Sequence, residues 1–363
     1  MNKYKNFVLK YSLLITSIVI LFCSLNYLVD PYGIFKSSIL EKDYQPNERF
    51  IKADYLLKNQ YKYNSYMLGS SRIGNTDPKL IESNIQGSKF YNLTAALSNL
   101  KDYNVILKWM IKNKFDIKNL YLQIDLEDYH FYGHDDNLLF KHHYLVENSD
   151  ALNFYVTYLS KVSFKIIKKK IKYNFKDDGV SFYFYSSGMW RNLKKEKLLK
   201  DIPLEYVKNE SSFHKNYEVK YKINSNYENI IDDLKYIKKL CDDNNINLIC
   251  FTTPHNHNMM DTFDRESVLK FLNDITKIMD IWYFSGYNYI TNDDTNYYEY
   301  SHYKEEIAKK VADVIFAKVK TKGTFGIHLT KLNKAKALEK INENIIGYRT
   351  NRKELFEYKN NRF

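Results

Sequence analysis

Cysteine is almost missing from this chain of 363 residues, which carries three. Cys23 falls in an apolar run near the amino end, while Cys241 ends a predicted helix and Cys250 a predicted strand. Two thiols so close in sequence, on different elements, are poorly placed to form a bridge, and two buried thiols are expected. Glycine (11) and proline (5) are also scarce, against 34 tyrosines, 22 phenylalanines and many Lys, Asn and Ile. The abundant types share A/T-rich codons, which gives the net charge of +12 a compositional origin. Basic residues are dispersed, with only short runs such as Lys168-Lys169-Lys170, and no internal repeat is present. A membrane surface or an anionic glycan suits that charge as well as nucleic acid does, so charge alone names no partner.

What is there begins with an apolar run. Tyr11 to Val29 contains no charged residue, and as a helix it reaches about 28 Å, close to the hydrocarbon thickness of a bilayer. Lys3, Lys5 and Lys10 precede it and Asp30 follows, the asymmetry that keeps an amino end in the cytoplasm. No small-x-small cleavage site follows, so an uncleaved single-pass anchor is expected rather than a removed signal peptide. Bulky Phe22 before Cys23 argues against lipid attachment. The alternative is a buried core helix. With an anchor, the bulk of the chain lies outside the cytoplasmic membrane, in a periplasm or at a cell surface, and nucleic acid drops out as a partner.

Hydrophobic residues make up 44% of the chain, enough for a sizeable core, and the length suits one α/β domain with a large insertion or two average domains. Pro31 and Gly33 stop the anchor, and a polar stalk is expected over 31–58. Strands are predicted at Tyr66–Leu68, Lys89–Leu93, Asn119–Leu126, Ile246–Thr252 and Ile281–Phe284. Helices are predicted at Asp102–Asn113, Asn226–Asp243, Asp264–Met279 and Lys304–Lys320, from apolar residues at the 3.6 period. That alternation argues for a mostly parallel sheet covered on both faces, spanning 59–320. Residues 127–225 blur the pattern, with one helix near Phe154–Tyr173, and are expected as an insertion over the carboxyl ends of the strands. Residues 321–363 form a basic tail with a helix at Leu332–Ile345.

Two short blocks carry the chemistry. Gly69-Ser70-Ser71-Arg72 follows the first predicted strand, and Tyr298-Glu299-Tyr300-Ser301-His302-Tyr303 follows the last. A serine hydroxyl becomes a useful nucleophile when an imidazole takes its proton, and a carboxylate fixes the tautomer of that imidazole. Ser71 can equally cap the turn that follows it, and Glu299 with His302 can be a capping pair. His255-Asn256-His257 lacks the further close-spaced ligands of a metal site and is expected to be loop.

The ordered pair of blocks, with the α/β alternation between them, resembles the SGNH (GDSL-type) hydrolase superfamily over about residues 60–320. Ser70 stands where that family has Asp, and Glu299 where its closing Asp-x-x-His block has Asp. Similar membrane-anchored members assist teichoic-acid D-alanylation and polysaccharide acetylation. The resemblance implies an SGNH-like (flavodoxin-like) three-layer sandwich behind one transmembrane helix. It also implies Ser71 as nucleophile, His302 as base and Glu299 as orienting acid. The substrate implied is an acyl ester of a cell-envelope polysaccharide, with a membrane-bound acyltransferase as possible partner and no cofactor. The oxyanion hole departs from the family: Tyr91-Asn92-Leu93-Thr94-Ala95-Ala96 has no Gly, leaving the N–H of Ala95 or Thr94, and Asp125 replaces Asn. Arg72 is expected to hold an anionic substrate or developing charge, and His255 to line the cleft. A catalytically weak glycan-binding or scaffold protein is the alternative.

Overall fold

A computed structural model describes residues 2–40, 44–133, 137–161, 163–175, 182–215, 217–320 and 323–360. They gather into two compact units, each with its own core. The first comprises residues 1–58, 134–183 and 191–193, and the second 59–133, 184–190 and 194–363.

In the second unit, short apolar runs too brief for helices pair into a six-stranded sheet. Its strands are β1 (Ser65–Leu68), β2 (Phe90–Asn92), β3 (Asn119–Gln123), β4 (Asn247–Phe251), β5 (Ile281–Tyr283) and β6 (Ile327–Leu329). The order across the sheet is β2-β1-β3-β4-β5-β6. β1 to β5 run parallel, and β6 alone is antiparallel, on the edge. Alternate side chains face opposite layers. Met67, Tyr121 and Phe251 share one core with Ile307, Val311 and Ala312 of the helix Glu305–Ile315 and with Ile81. Beyond the other face, the helix Leu100–Lys112 packs on Tyr227–Asp243, which packs on Arg265–Ile278. Asn99 starts the first of these with a capping box completed by Asp102, satisfying two backbone donors at once. Cys241 and Cys250 are free and buried.

The order reverses between β1 and its two neighbours, β2 and β3. In parallel α/β sheets such a switch opens a crevice at the carboxyl ends of the strands. β1 therefore delivers whatever follows Leu68 into that crevice.

The span beyond 320, expected as a tail outside the domain, completes this unit. β6 extends the sheet, and the helix Lys334–Asn360 packs on Arg265–Ile278 with Ile341 and Ile345 fully buried. Arg349 anchors that helix, its Nη2 donating to the Met260 and Phe263 carbonyls at 2.9 Å.

The first unit is built around the helix Asn2–Val29, which is long and apolar enough to cross a membrane. Its side chains are exposed from Lys3 to Leu21. Further along, the helices Ala151–Lys161 and Phe164–Phe175 cover it, and Asn26 Nδ2 donates to the Leu159 carbonyl at 2.6 Å. Asp30 takes a left-handed φ of 41°, and its carboxylate accepts from the backbone N–H groups of Ile34, Phe35 and Lys36. Residues 31–40 and 44–58 are folded rather than a polar stalk: Glu48–Asn59 is a helix that buries Phe50, Ile51, Ala53 and Leu56. Composition hid this, because Glu48, Arg49 and Lys52 are buried on the same helix. Phe50 and Ile51 share a core with Val29, Tyr32, Ile34, Phe154, Tyr158 and Ile167. The expected insertion is thus divided: 137–175 belongs with this core, whereas 184–190 and 194–225 belong with the sheet.

Candidate functional site

Backbone geometry delivers Ser71. β1 ends at Leu68, and Ser71–Ile73 forms a single 3₁₀ turn. Ser70, not Ser71, caps that turn, its hydroxyl accepting from the Arg72 N–H. The Ser71 hydroxyl is thereby released from capping. The turn is held from behind by Asn92 at the end of β2, whose amide donates to the carbonyls of Ile73, Gly74 and Thr76 at 3.0–3.3 Å. Gln123 at the end of β3 adds a second brace, accepting from the Ser70 N–H at 3.0 Å and donating to the Ser70 hydroxyl at 2.8 Å.

The acid and base come from a small antiparallel pair, Tyr297–Glu299 with His302–Tyr303, in which Glu299 faces His302. Asn75 Nδ2 donates to the Tyr303 carbonyl at 2.8 Å, tying this pair to the serine turn. Glu299 Oε1 accepts from the His302 backbone N–H at 2.8 Å and lies 2.5 Å from His302 Nδ1. Capping and orientation are thus performed by one oxygen. Burial pushes the Glu299 carboxyl up, but the His302 ring and the Lys195 ammonium outweigh it and hold the pKa at about 2. An ionised carboxylate only accepts, so Nδ1 carries the proton and Nε2 presents its lone pair. That lone pair faces Ser71 Oγ at 2.9 Å. The three side chains are joined in line, and His302 and Glu299 stay about a quarter exposed, at 24% and 23%, open to a substrate.

Behind the serine turn lies a buried charge network. Arg72 Nη1 donates to Asp125 Oδ2 at 2.6 Å, and its Nη2 pairs with Glu127. Arg72 faces inward to these carboxylates, so the expected anion-holding role is taken up inside the protein. Burial pushes the Asp125 carboxyl up, but the Arg72 guanidinium and the Thr253 hydroxyl bring it below its ordinary value. Asp125 is ionised and fully engaged. Glu127 is pushed up by burial against the pull of Arg72. His255 is wholly buried, its Nδ1 2.9 Å from Ser285 Oγ and its Nε2 3.6 Å from Asp125 Oδ1. Burial lowers its pKa to about 4, so the ring is neutral and supports Asp125 instead of lining a cleft. Asp125, Glu127 and His255 converge closely enough to bracket a metal ion, but Arg72 already pairs with both carboxylates.

The expected oxyanion donor at Ala95 is not free, because its N–H donates to the Gly69 carbonyl at 3.2 Å. The loop after β2 folds back on β1, which sequence spacing does not reveal. The Ser71 N–H, by contrast, has no acceptor among the described residues.

Several neighbours carry no sequence signal. Lys195 lies 3.3 Å from Glu299 Oε2 and 3.9 Å from Glu210, yet it sits in a run of lysines. The Trp190 ring stands edge-on to His302 at 5.8 Å. It closes on the serine turn only because residue 74 is glycine, where a Cβ would meet Trp190 Nε1 at 2.2 Å. Tyr217 stacks on Tyr300 at 5.0 Å. Gln123 alone was within reach, since it lies two residues before Asp125 and so points to the same side of the strand.

No protein-family model matches this chain, and no curated protein matches it.

Proposed function

We propose that this chain is a membrane-anchored serine esterase or O-acyltransferase of the SGNH type, acting on acyl esters of a cell-envelope polysaccharide. The observation that carries this reading is the unbroken relay Glu299–His302–Ser71 at 2.5 and 2.9 Å. Ser71 Oγ attacks the acyl carbonyl while His302 Nε2 accepts its proton, and Glu299 stabilises the imidazolium. The tetrahedral oxyanion takes the Ser71 N–H. As the intermediate collapses, the ester C–O bond breaks and His302 returns the proton to the departing sugar oxygen, leaving acyl-Ser71. Water or a second hydroxyl then attacks that ester, losing its proton to His302, and Ser71 is restored. None of these steps calls for a cofactor.

Support for the setting is of two kinds. The apolar helix and the lysines before it favour an anchor with its amino end in the cytoplasm, and a membrane-bound acyltransferase is the partner such a placement suits. The strand order, with the serine at the end of β1 and the histidine just before the last large helix of the parallel portion, accords with the SGNH arrangement.

A catalytically weak glycan-binding or scaffold protein is the second reading. It is favoured by the engaged Ala95 N–H and by an ionised Asp125 where an amide donor would serve, since losing one oxyanion donor typically costs about 10²–10³ in rate.

The test uses the full chain in detergent, with a fluorophosphonate probe and a chromogenic acetyl ester. The enzyme reading expects labelling that vanishes in Ser71→Ala and drops roughly 10²–10⁴-fold in His302→Ala. Absence of labelling and turnover in a folded wild-type chain selects the scaffold reading.

A further inference from the structure

The site does not use the helix Phe164–Phe175, and its composition on the solvent side is distinctive. Lys165, Lys168, Lys169 and Lys172 are all exposed, together with Phe164 at 66% and Phe175 at 80%, and the helix contains no acidic residue. Its inner side is secured to the first unit by Ile167, which is buried in that core, and by Ile166 and Ile171 packed against it. Two bare aromatic rings flanking four cations are costly to leave in water, and no described residue of the unit covers them.

Position suggests what does. The exposed stretch of the apolar helix Asn2–Val29 ends at Leu21, and at the next residue Phe22 meets Phe164, ring centroids 5.1 Å apart. The basic helix therefore begins at the level where protein cover of the apolar helix begins. Basic helices that carry exposed aromatic residues beside their lysines lie in the headgroup region and favour anionic lipid.

From this we infer that Phe164–Phe175 lies at the membrane surface and binds anionic phospholipid headgroups, with Phe164 inserted beside the anchor and the four lysines on the phosphates. The inference is independent of the acyl chemistry. It rests on the anchor of the proposed function, and the experiment separates the two.

Full-length protein is placed in nanodiscs of phosphatidylcholine alone or with about a third phosphatidylglycerol, and amide hydrogen exchange is followed. Segment 7–21 reports insertion, 164–175 the proposed contact, and Glu305–Ile315 the fold. The expected result is slow exchange over 7–21 in both discs, with 164–175 exchanging several-fold more slowly only where phosphatidylglycerol is present. The combined variant Lys165→Gln, Lys168→Gln, Lys169→Gln, Lys172→Gln loses that difference while Glu305–Ile315 stays protected. Fast exchange over 7–21 overturns the anchor and the inference with it. Slow exchange there, with 164–175 indifferent to lipid charge, overturns the inference alone. So does equal protection in phosphatidylcholine discs on adding soluble polyglycerol phosphate, which would point to a polymer instead of a lipid.

Discussion

Glu299 is buried enough for its charge to be costly, yet His302 and Lys195 hold its carboxyl at about 2. Lys195 is the smaller part of that hold, after His302, so Lys195→Met is expected to leave probe labelling near wild type at pH 7–8 and to lower it a few-fold below pH 5. A labelling rate profile against pH checks this; a uniform loss at every pH would mean Lys195 acts on something other than Glu299. Stability follows buried groups whose folded pKa values are all lowered, so each contribution is lost on acidification. His255 has a folded pKa of about 4 against an ordinary 6.5, so the unfolded chain takes its proton first and stability is lost as pH falls from 6.5 to 4. His143, stacked on Phe50, is lowered to about 4 by burial and adds to that window. Glu299 is depressed from 4.5, so its contribution is present above 4.5 and is lost as pH falls toward 2. Urea midpoints at pH 7, 5 and 3 should fall in two stages, with Glu299→Gln flattening only the lower one. The relay residues were legible in sequence because each block is local. Arg72 and Ala95 were misjudged because their orientation depends on Asp125, Glu127 and Gly69, partners brought near only by folding.

Among elements, the serine turn is shaped as much by its neighbours as by β1. The turn leading to Trp190 lies against β2: Asn92 N–H donates to the Ser187 carbonyl, and Trp190 N–H to the Gly74 carbonyl at 3.0 Å. Gly188 permits this with a φ of +75° and no room for a side chain, since a Cβ would lie 2.1 Å from the Asn92 carbonyl oxygen. Gly188→Ala is expected to cost roughly 2 kcal/mol or more, the strain of a left-handed residue plus the clash, and to slow Ser71 labelling by shifting Trp190 away from His302. Urea unfolding beside labelling kinetics measures both; wild-type stability would mean this turn adapts freely. Strands and helices of the sheet unit were legible to within a few residues because apolar runs and 3.6-residue spacing survive in the sequence. Asn119–Gln123 ends earlier than its apolar pattern suggests, because Asp125 and Asp128 form a capping box that turns the chain. β6 was missed, being only three residues long and stabilised by its edge position on β5.

For the whole molecule, the packed part of the first unit does not begin where the apolar run stops. Asn26, Val29 and Asp30 are buried, and the Asp30 carbonyl accepts from Lys170 Nζ at 2.7 Å. A fragment beginning at residue 31 is therefore expected to lose the fold of the first unit, detected as rapid proteolysis within 137–175, while one beginning near residue 22 keeps it. Equal resistance of the two fragments would show those contacts to be dispensable. Sequence reading placed the cut at 30 because charge marks where a membrane ends, not where packing begins. Synthesis meets a different boundary. Ser71 and His302 are 231 positions apart, so the hydroxyl emerges from the ribosome long before the imidazole that would activate it. Through that interval the nascent chain carries the Ser71 hydroxyl without its ring partner, and the relay can close only after residue 302 has emerged.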